Sequence, residues 1–141
     1  MQYTNINRGK IQNRERAKQI IDFSGLRYNS ITPTDMDGLT EYHDKSFIFY
    51  EFKLDDAEMP KGQKLAFERL ADACQFAGKQ SVVFLCKHSV DNPDADIDAA
   101  NARVAETYYC HQWHKEDGTK TVKERSDDFL KMVDMLPFYG E

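Results

Sequence analysis

Glu51 and Lys53 place a carboxylate and an ammonium two residues apart on a stretch that is otherwise apolar and aromatic, Ser46-Phe47-Ile48-Phe49-Tyr50-Glu51-Phe52-Lys53. Side chains alternate faces along a strand, so Glu51, Lys53, Phe47 and Phe49 share one face, and Ile48, Tyr50 and Phe52 share the other. A second acidic residue, Asp37, lies in the preceding stretch, Thr34 to Tyr42. The two stretches read as a hairpin joined by the polar turn His43-Asp44-Lys45.

The turn length decides what the hairpin can do. With a three-residue turn, Tyr42 faces Ser46 and paired residue numbers sum to 88. Asp37 then faces Glu51, and Asp35 faces Lys53. Directly opposed residues have Cβ atoms about 4.5–5.5 Å apart. A two-residue turn would send Asp37 to the other face. Two carboxylates this close repel, and one is expected to hold a proton. A hard divalent cation, Mg²⁺ or Mn²⁺, removes the conflict, because such ions take oxygen ligands. It could polarise a phosphate and activate water, while Lys53 meets the extra negative charge of a pentavalent phosphorus. The simpler reading of Glu51 and Lys53 is an ordinary ion pair at a strand end.

Asp37, thirteen intervening residues, then Glu51-Phe52-Lys53 closing an apolar strand resembles the PD-(D/E)xK nuclease superfamily, which includes restriction endonucleases and Holliday-junction resolvases. Residue 36 is Met where that motif often has proline. The resemblance covers roughly residues 13 to 86. It implies an α/β fold, a central mixed sheet flanked by helices with an αβββαβ core. It implies Asp37, Glu51 and the backbone carbonyl of Phe52 as metal ligands, and Lys53 as the catalytic lysine. Glu15 would add a carboxylate from a first helix, and Gln63 a glutamine from the helix after the motif. Asp35 stays open as an alternative ligand to Asp37. Glu15 and Gln63 also read as solvated polar residues.

The elements that must position these groups follow from periodicity. Asn13 can cap a helix to about Phe23, with Ala17, Ile20 and Ile21 on one side. Pro60 suits the start of a helix to about Ala77, with an apolar stripe of Leu65, Ala66, Leu70, Ala73, Cys74 and Ala77 and a stop at Gly78. Ser81 to Cys86 reads as a buried strand, Ala99 to Ala105 as a weak helix, and Glu106 to His114 as one aromatic strand. Ser126 caps a last helix to about Leu136, with Phe129, Leu130 and Val133 inward.

The chain has 141 residues, enough for a single domain, and its net charge of −5 is unusual for a nucleic-acid binder. Local basic groups can still grip DNA: Arg14 and Lys18 near the amino terminus, Lys61 and Lys64 beside the motif. Three unpaired-looking cysteines predict a reducing compartment, and the absence of a leader or a long apolar run predicts a cytoplasmic protein with no membrane partner. Cys86, His88, Cys110 and His114 could form a zinc site if they met across adjacent strands. The acidic stretch Asp91 to Asp98 lacks the glycine and terminal glutamate of an EF-hand and reads as a surface loop. The leading expectation is a small Mg²⁺- or Mn²⁺-dependent deoxyribonuclease, structure-selective in the manner of a resolvase, an activity that a homodimer would suit, and of a size that suits a phage or mobile element. The rival is an inactive protein on the same fold that binds DNA or another protein, for example as an inhibitor.

Overall fold

The computed structural model describes residues 8–137. The chain divides into two compact units, 1–33 and 34–141. In the first unit, Asn13 caps as expected, its side chain accepting the Arg16 N–H at 3.0 Å. The helix it starts, α1, is one turn long, Arg14–Ala17, and buries no residue. Ile20 and Ile21 lie beyond it and are exposed, so the expected apolar helix face to Phe23 does not form. A helix this short fixes several dihedrals for very few hydrogen bonds, and no buried stripe offsets that cost. A one-turn 3-10 helix at Ser24–Leu26 and an isolated bridge between Tyr28 and Ile31 complete the unit.

The second unit is α/β. Its five strands are β1 (Gly38–Tyr42), β2 (Ser46–Leu54), β3 (Gln80–His88), β4 (Arg103–Tyr109) and β5 (Gln112–Lys115), and they lie side by side in sequence order. The β2–β3 pair is parallel and the other three pairs are antiparallel. Parallel neighbours need a crossover, and the helix α2 (Lys61–Phe76) supplies it. Helix α3 (Val122–Met135) closes the described chain. Two strands, not three, precede α2.

Alternation along β2 divides the core as expected. Ile48 packs with Val82, Phe84, Cys86, Val104 and the α3 residues Val122, Phe129 and Val133. Phe49 packs with Val83, Tyr108 and the α2 residues Phe67 and Ala71. The sheet is therefore covered by α3 on one face and by α2 on the other.

Helix α2 presents a different side to the sheet from the stripe that its sequence suggests. Its buried residues are Gln63, Phe67 and Ala71, four apart, with Cys74 partly buried; Leu65 and Leu70 are exposed. The aromatic wall of β2 selects the side carrying Phe67, and Gln63 follows one turn earlier. The expected single strand at 106–114 is instead a hairpin, β4 and β5, turning at Cys110 (φ 51°) and His111 (φ 67°). Tyr108 OH and His111 Nδ1 lie 2.8 and 2.7 Å from Asp72 Oδ1, which ties that turn to α2. The region before β4 forms only a 3-10 turn, Ala99–Asn101.

The cap of α3 is also displaced from Ser126. Thr121 accepts the Glu124 N–H at 3.1 Å, and Glu124 accepts the Thr121 N–H at 2.9 Å, a complete capping box. Ser126 sits inside the helix, 3.4 Å from Tyr50 OH. Thr121→Ala is therefore expected to cost about 1 kcal/mol in urea unfolding, and Ser126→Ala less than about 0.5 kcal/mol. The reverse order would move the cap to Ser126.

Candidate active site

The turn between β1 and β2 spans three residues. Tyr42 faces Ser46, and the register runs back to Gly38 facing Tyr50. His43 and Asp44 adopt left-handed conformations, φ 52° and 60°, and Asp44 receives Lys79 at 2.7 Å while its N–H bonds Glu41. Gly38 permits close approach to Tyr50, since a Cβ there would meet the ring at 3.3 Å. Asp37 stands immediately before this pair. Its Oδ2 accepts the Phe52 N–H at 2.8 Å, and its carboxylate lies close enough to Glu51 to raise that carboxyl.

Glu51 is the centre of the cluster and is only 2% exposed. Its Oε2 lies 3.0 Å from Lys53 Nζ and accepts a 2.5 Å hydrogen bond from Gln63 Nε2. The same amide group reaches the backbone carbonyl of Asp35 at 3.3 Å. Asp35 itself is exposed. It contributes its carbonyl to the cluster, and Asp37 contributes its carboxylate. Four of the expected residues, Asp37, Glu51, Lys53 and Gln63, thus converge from β1, β2 and α2.

Burial raises the Glu51 carboxyl most, the hydrogen bond and charge of Asp37 raise it further, and Lys53 opposes both; the result is about 7. The Glu51 carboxyl therefore keeps its proton well above the ordinary carboxylate range. Glu51 Oε1 and Gln63 Oε1 are buried and have no hydrogen-bond partner. Each such orphaned acceptor costs about 1–3 kcal/mol.

These oxygens fit a hard cation. Phe52 adds a further donor, because the N–H and C=O of one strand residue point to the same side and its N–H points to Asp37. Two carboxylates and a carbonyl leave positions for water and phosphate, as Mg²⁺ prefers. Glu15 is exposed on α1 in the 1–33 unit, and among the described residues no group of three or more His, Cys, Asp or Glu side chains could hold a metal ion.

The Cys and His residues are dispersed. Cys86 is fully buried in the α3-side core, and burial together with the charges of Asp37 and Glu51 pushes its thiol up, away from the thiolate that binds metal. Cys110 lies in the β4–β5 turn rather than on a strand, and His88 Nδ1 accepts the Val90 N–H. Of the expected DNA-binding residues, Lys61 is exposed at the start of α2, while Lys64 lies 4.8 Å over the Trp113 ring. Arg14 and Lys18 are exposed in the first unit. Asp91 to Asp98 form a largely exposed loop with local Asx contacts at Asn92 and Asp98. Lys87, which faces Lys53 across β2–β3, was not expected. Its signal is the parallel register, which sequence periodicity does not encode. No described helix is long and apolar enough to cross a membrane.

Glu51 gives the fold a pH dependence with a definite sign. The unfolded chain releases this proton near 4.5, whereas the folded chain keeps it to about 7. The folded state binds the extra proton across that window. The stabilisation is complete below the window and is lost as pH rises through it. In cation-free buffer, the melting temperature of the wild type is expected to fall relative to Glu51→Gln between about pH 5 and about pH 8. Parallel melting curves would reject a raised Glu51 carboxyl. In comparisons with known proteins, no family model, curated protein or solved structure matches the chain.

Proposed function

We propose that the chain is a Mg²⁺- or Mn²⁺-dependent deoxyribonuclease that hydrolyses phosphodiester bonds at the Asp37–Glu51–Lys53–Gln63 cluster. The observation that carries this reading is the buried Glu51 carboxylate, held at one oxygen by Gln63 and Lys53 and open at the other, with Asp37 against it. Such an arrangement is costly for a fold and suits a cation.

Asp37, Glu51 and the Phe52 carbonyl would hold the ion. When bound, the ion supplies Lewis acidity and lowers the pKa of a water molecule. The protein residues have separate tasks. Gln63 fixes the Glu51 carboxylate by donating to Oε2, so that Oε1 keeps its lone pairs for the ion. Lys53, 22% exposed at its side chain, carries its charge to the edge of the cluster. There it offsets the negative charge that grows on the phosphate oxygens in the transition state. Asp37 orients through the Phe52 N–H. Releasing the Glu51 proton is a precondition for binding the ion, so ion affinity rises with pH through about 7.

The substrate is DNA, with structure-selective cutting. A unit of this size devotes little surface to reading bases, and its expected phosphate contacts are lysines and arginines. Incubating the protein with branched, single-stranded and linear duplex DNA in Mg²⁺ or Mn²⁺ tests this. Cleavage of at least one substrate is expected, with losses of ~10²-fold or more for Glu51→Ala and Lys53→Ala. Gln63→Ala acts through Glu51 and should cost ~10–100-fold. Cleavage surviving both Glu51→Ala and Lys53→Ala would remove the site. Absence of cleavage on all three substrates would favour a binding protein on the same fold.

A further inference from the structure

Three cations stand in a row beside the carboxylate pair. Lys53 on β2 faces Lys87 on β3, and Lys87 faces Arg103 on β4. Opposed residues present their side chains to the same face, so all three share the face of Glu51. The slip in register between Leu85 and Cys86 is what brings Arg103 to that face. With strands ~4.8 Å apart, the row spans ~10 Å across the sheet, perpendicular to the strands.

Like charges directly opposite destabilise a sheet, and of the three only Lys53 has a carboxylate at ion-pair distance, Glu51. Lys87 donates to the carbonyl of Ala57 in the β2–α2 connection, and Arg103 donates to the carbonyl of Thr119. Carbonyl partners fix where these two charges sit; Glu124 on α3 lies near enough to feel the Arg103 charge without forming an ion pair with it. Among the described residues, no carboxylate forms an ion pair with Lys87 or Arg103. The row also lies just past Glu51, where Gln63 marks the first turn of α2. Lys87 is half-buried and Arg103 exposed.

We infer that Lys87 and Arg103 bind the DNA backbone flanking the phosphate held at Glu51, so that the strand to be cut crosses the sheet from β2 towards β4. This rests on the nuclease reading for the identity of the polyanion. The row supplies what a phosphodiester chain requires and a single phosphate does not, namely cations spaced along a line. Lys87 and Arg103 are positioning residues: they set the track, and Asp37, Glu51 and Lys53 act at the scissile bond.

The test is DNA affinity against salt, measured by fluorescence anisotropy in Ca²⁺ with labelled branched, single-stranded and duplex oligonucleotides. Lys87→Gln and Arg103→Gln should each weaken binding on every substrate that the wild type binds. Each should also reduce the slope of log affinity against log salt by about one. Arg103→Lys and Lys87→Arg should restore the slope. Lys123→Gln, a solvated α3 lysine paired with Asp127, should change nothing. Single-turnover cleavage at saturating DNA in Mn²⁺ should keep its rate in both Gln variants, which separates positioning from chemistry. Wild-type protein that binds none of the three DNAs would overturn the nuclease reading and the row together. Wild-type binding with unchanged affinity and slope in both Gln variants, at unchanged melting temperature, would overturn the row alone.

Discussion

A carboxylate buried on a central strand is the constraint around which this structure is arranged. Glu51 is enclosed as completely as the aliphatic residues beside it, and an ion in that position is tolerated only where partners replace water. Gln63 and Lys53 serve one oxygen; burial, and then the nearby Asp37, raise the Glu51 carboxyl. The remaining oxygen is unpartnered. A sequence selected for stability alone would place an apolar residue here, as at Phe49 two positions earlier. The site therefore holds a local conflict between folding and chemistry, and protonation relieves it in the absence of a cation.

The part of this arrangement that was legible in the sequence is the part governed by integers. Alternation put Glu51 and Lys53 on one face. A turn of three residues put Asp37 opposite Glu51, and the structure keeps that register without a bulge between β1 and β2. Parity puts Asp35 and Asp37 on the same face, so the choice between them came from the structure, in which Asp37 brings its carboxylate to the cluster and Asp35 only its backbone carbonyl. The Asp37 bond to the Phe52 N–H is a contact that parity alone does not give, because β1 begins one residue later and leaves that donor unpaired.

Helices were less legible, and α2 shows why. Its sequence has one stripe of small and aliphatic residues, Leu65, Ala66, Leu70, Ala73, Cys74 and Ala77, and beside it an arc with Phe67 and Ala71 that Cys74 borders. Helical periodicity favours the first by number. The sheet favours the second, because Phe67 fits against Phe49 and Val83, and one buried aromatic outweighs several alanines in area. Gln63 reaches Glu51 only in that orientation. The short α1 fails for a related reason: a capping residue starts a helix, but without a buried face nothing extends it. Thr121 displaced Ser126 as a cap because its partner Glu124 lies three residues on, a pairing that Ser126 lacks.

The location of the site then follows from topology. In β2 and β3 the chain runs in the same direction, so the carboxyl ends of both strands emerge on one side of the sheet, where open α/β sheets accommodate ligands. The antiparallel β1 begins at Gly38 and leaves its own edge of β2 without a strand neighbour from Glu51 onward, while β3 continues along the other edge. That gap exposes backbone donors and acceptors, admits Asp37, and lets Lys53 reach past the core. The same parallel register places Lys87 beside Lys53, a pairing that an antiparallel sheet of identical composition would not produce. The acidic total charge of the chain is thus compatible with a cationic line two residues beyond its most buried acid, because charge acts through placement within a Debye length, not through the sum.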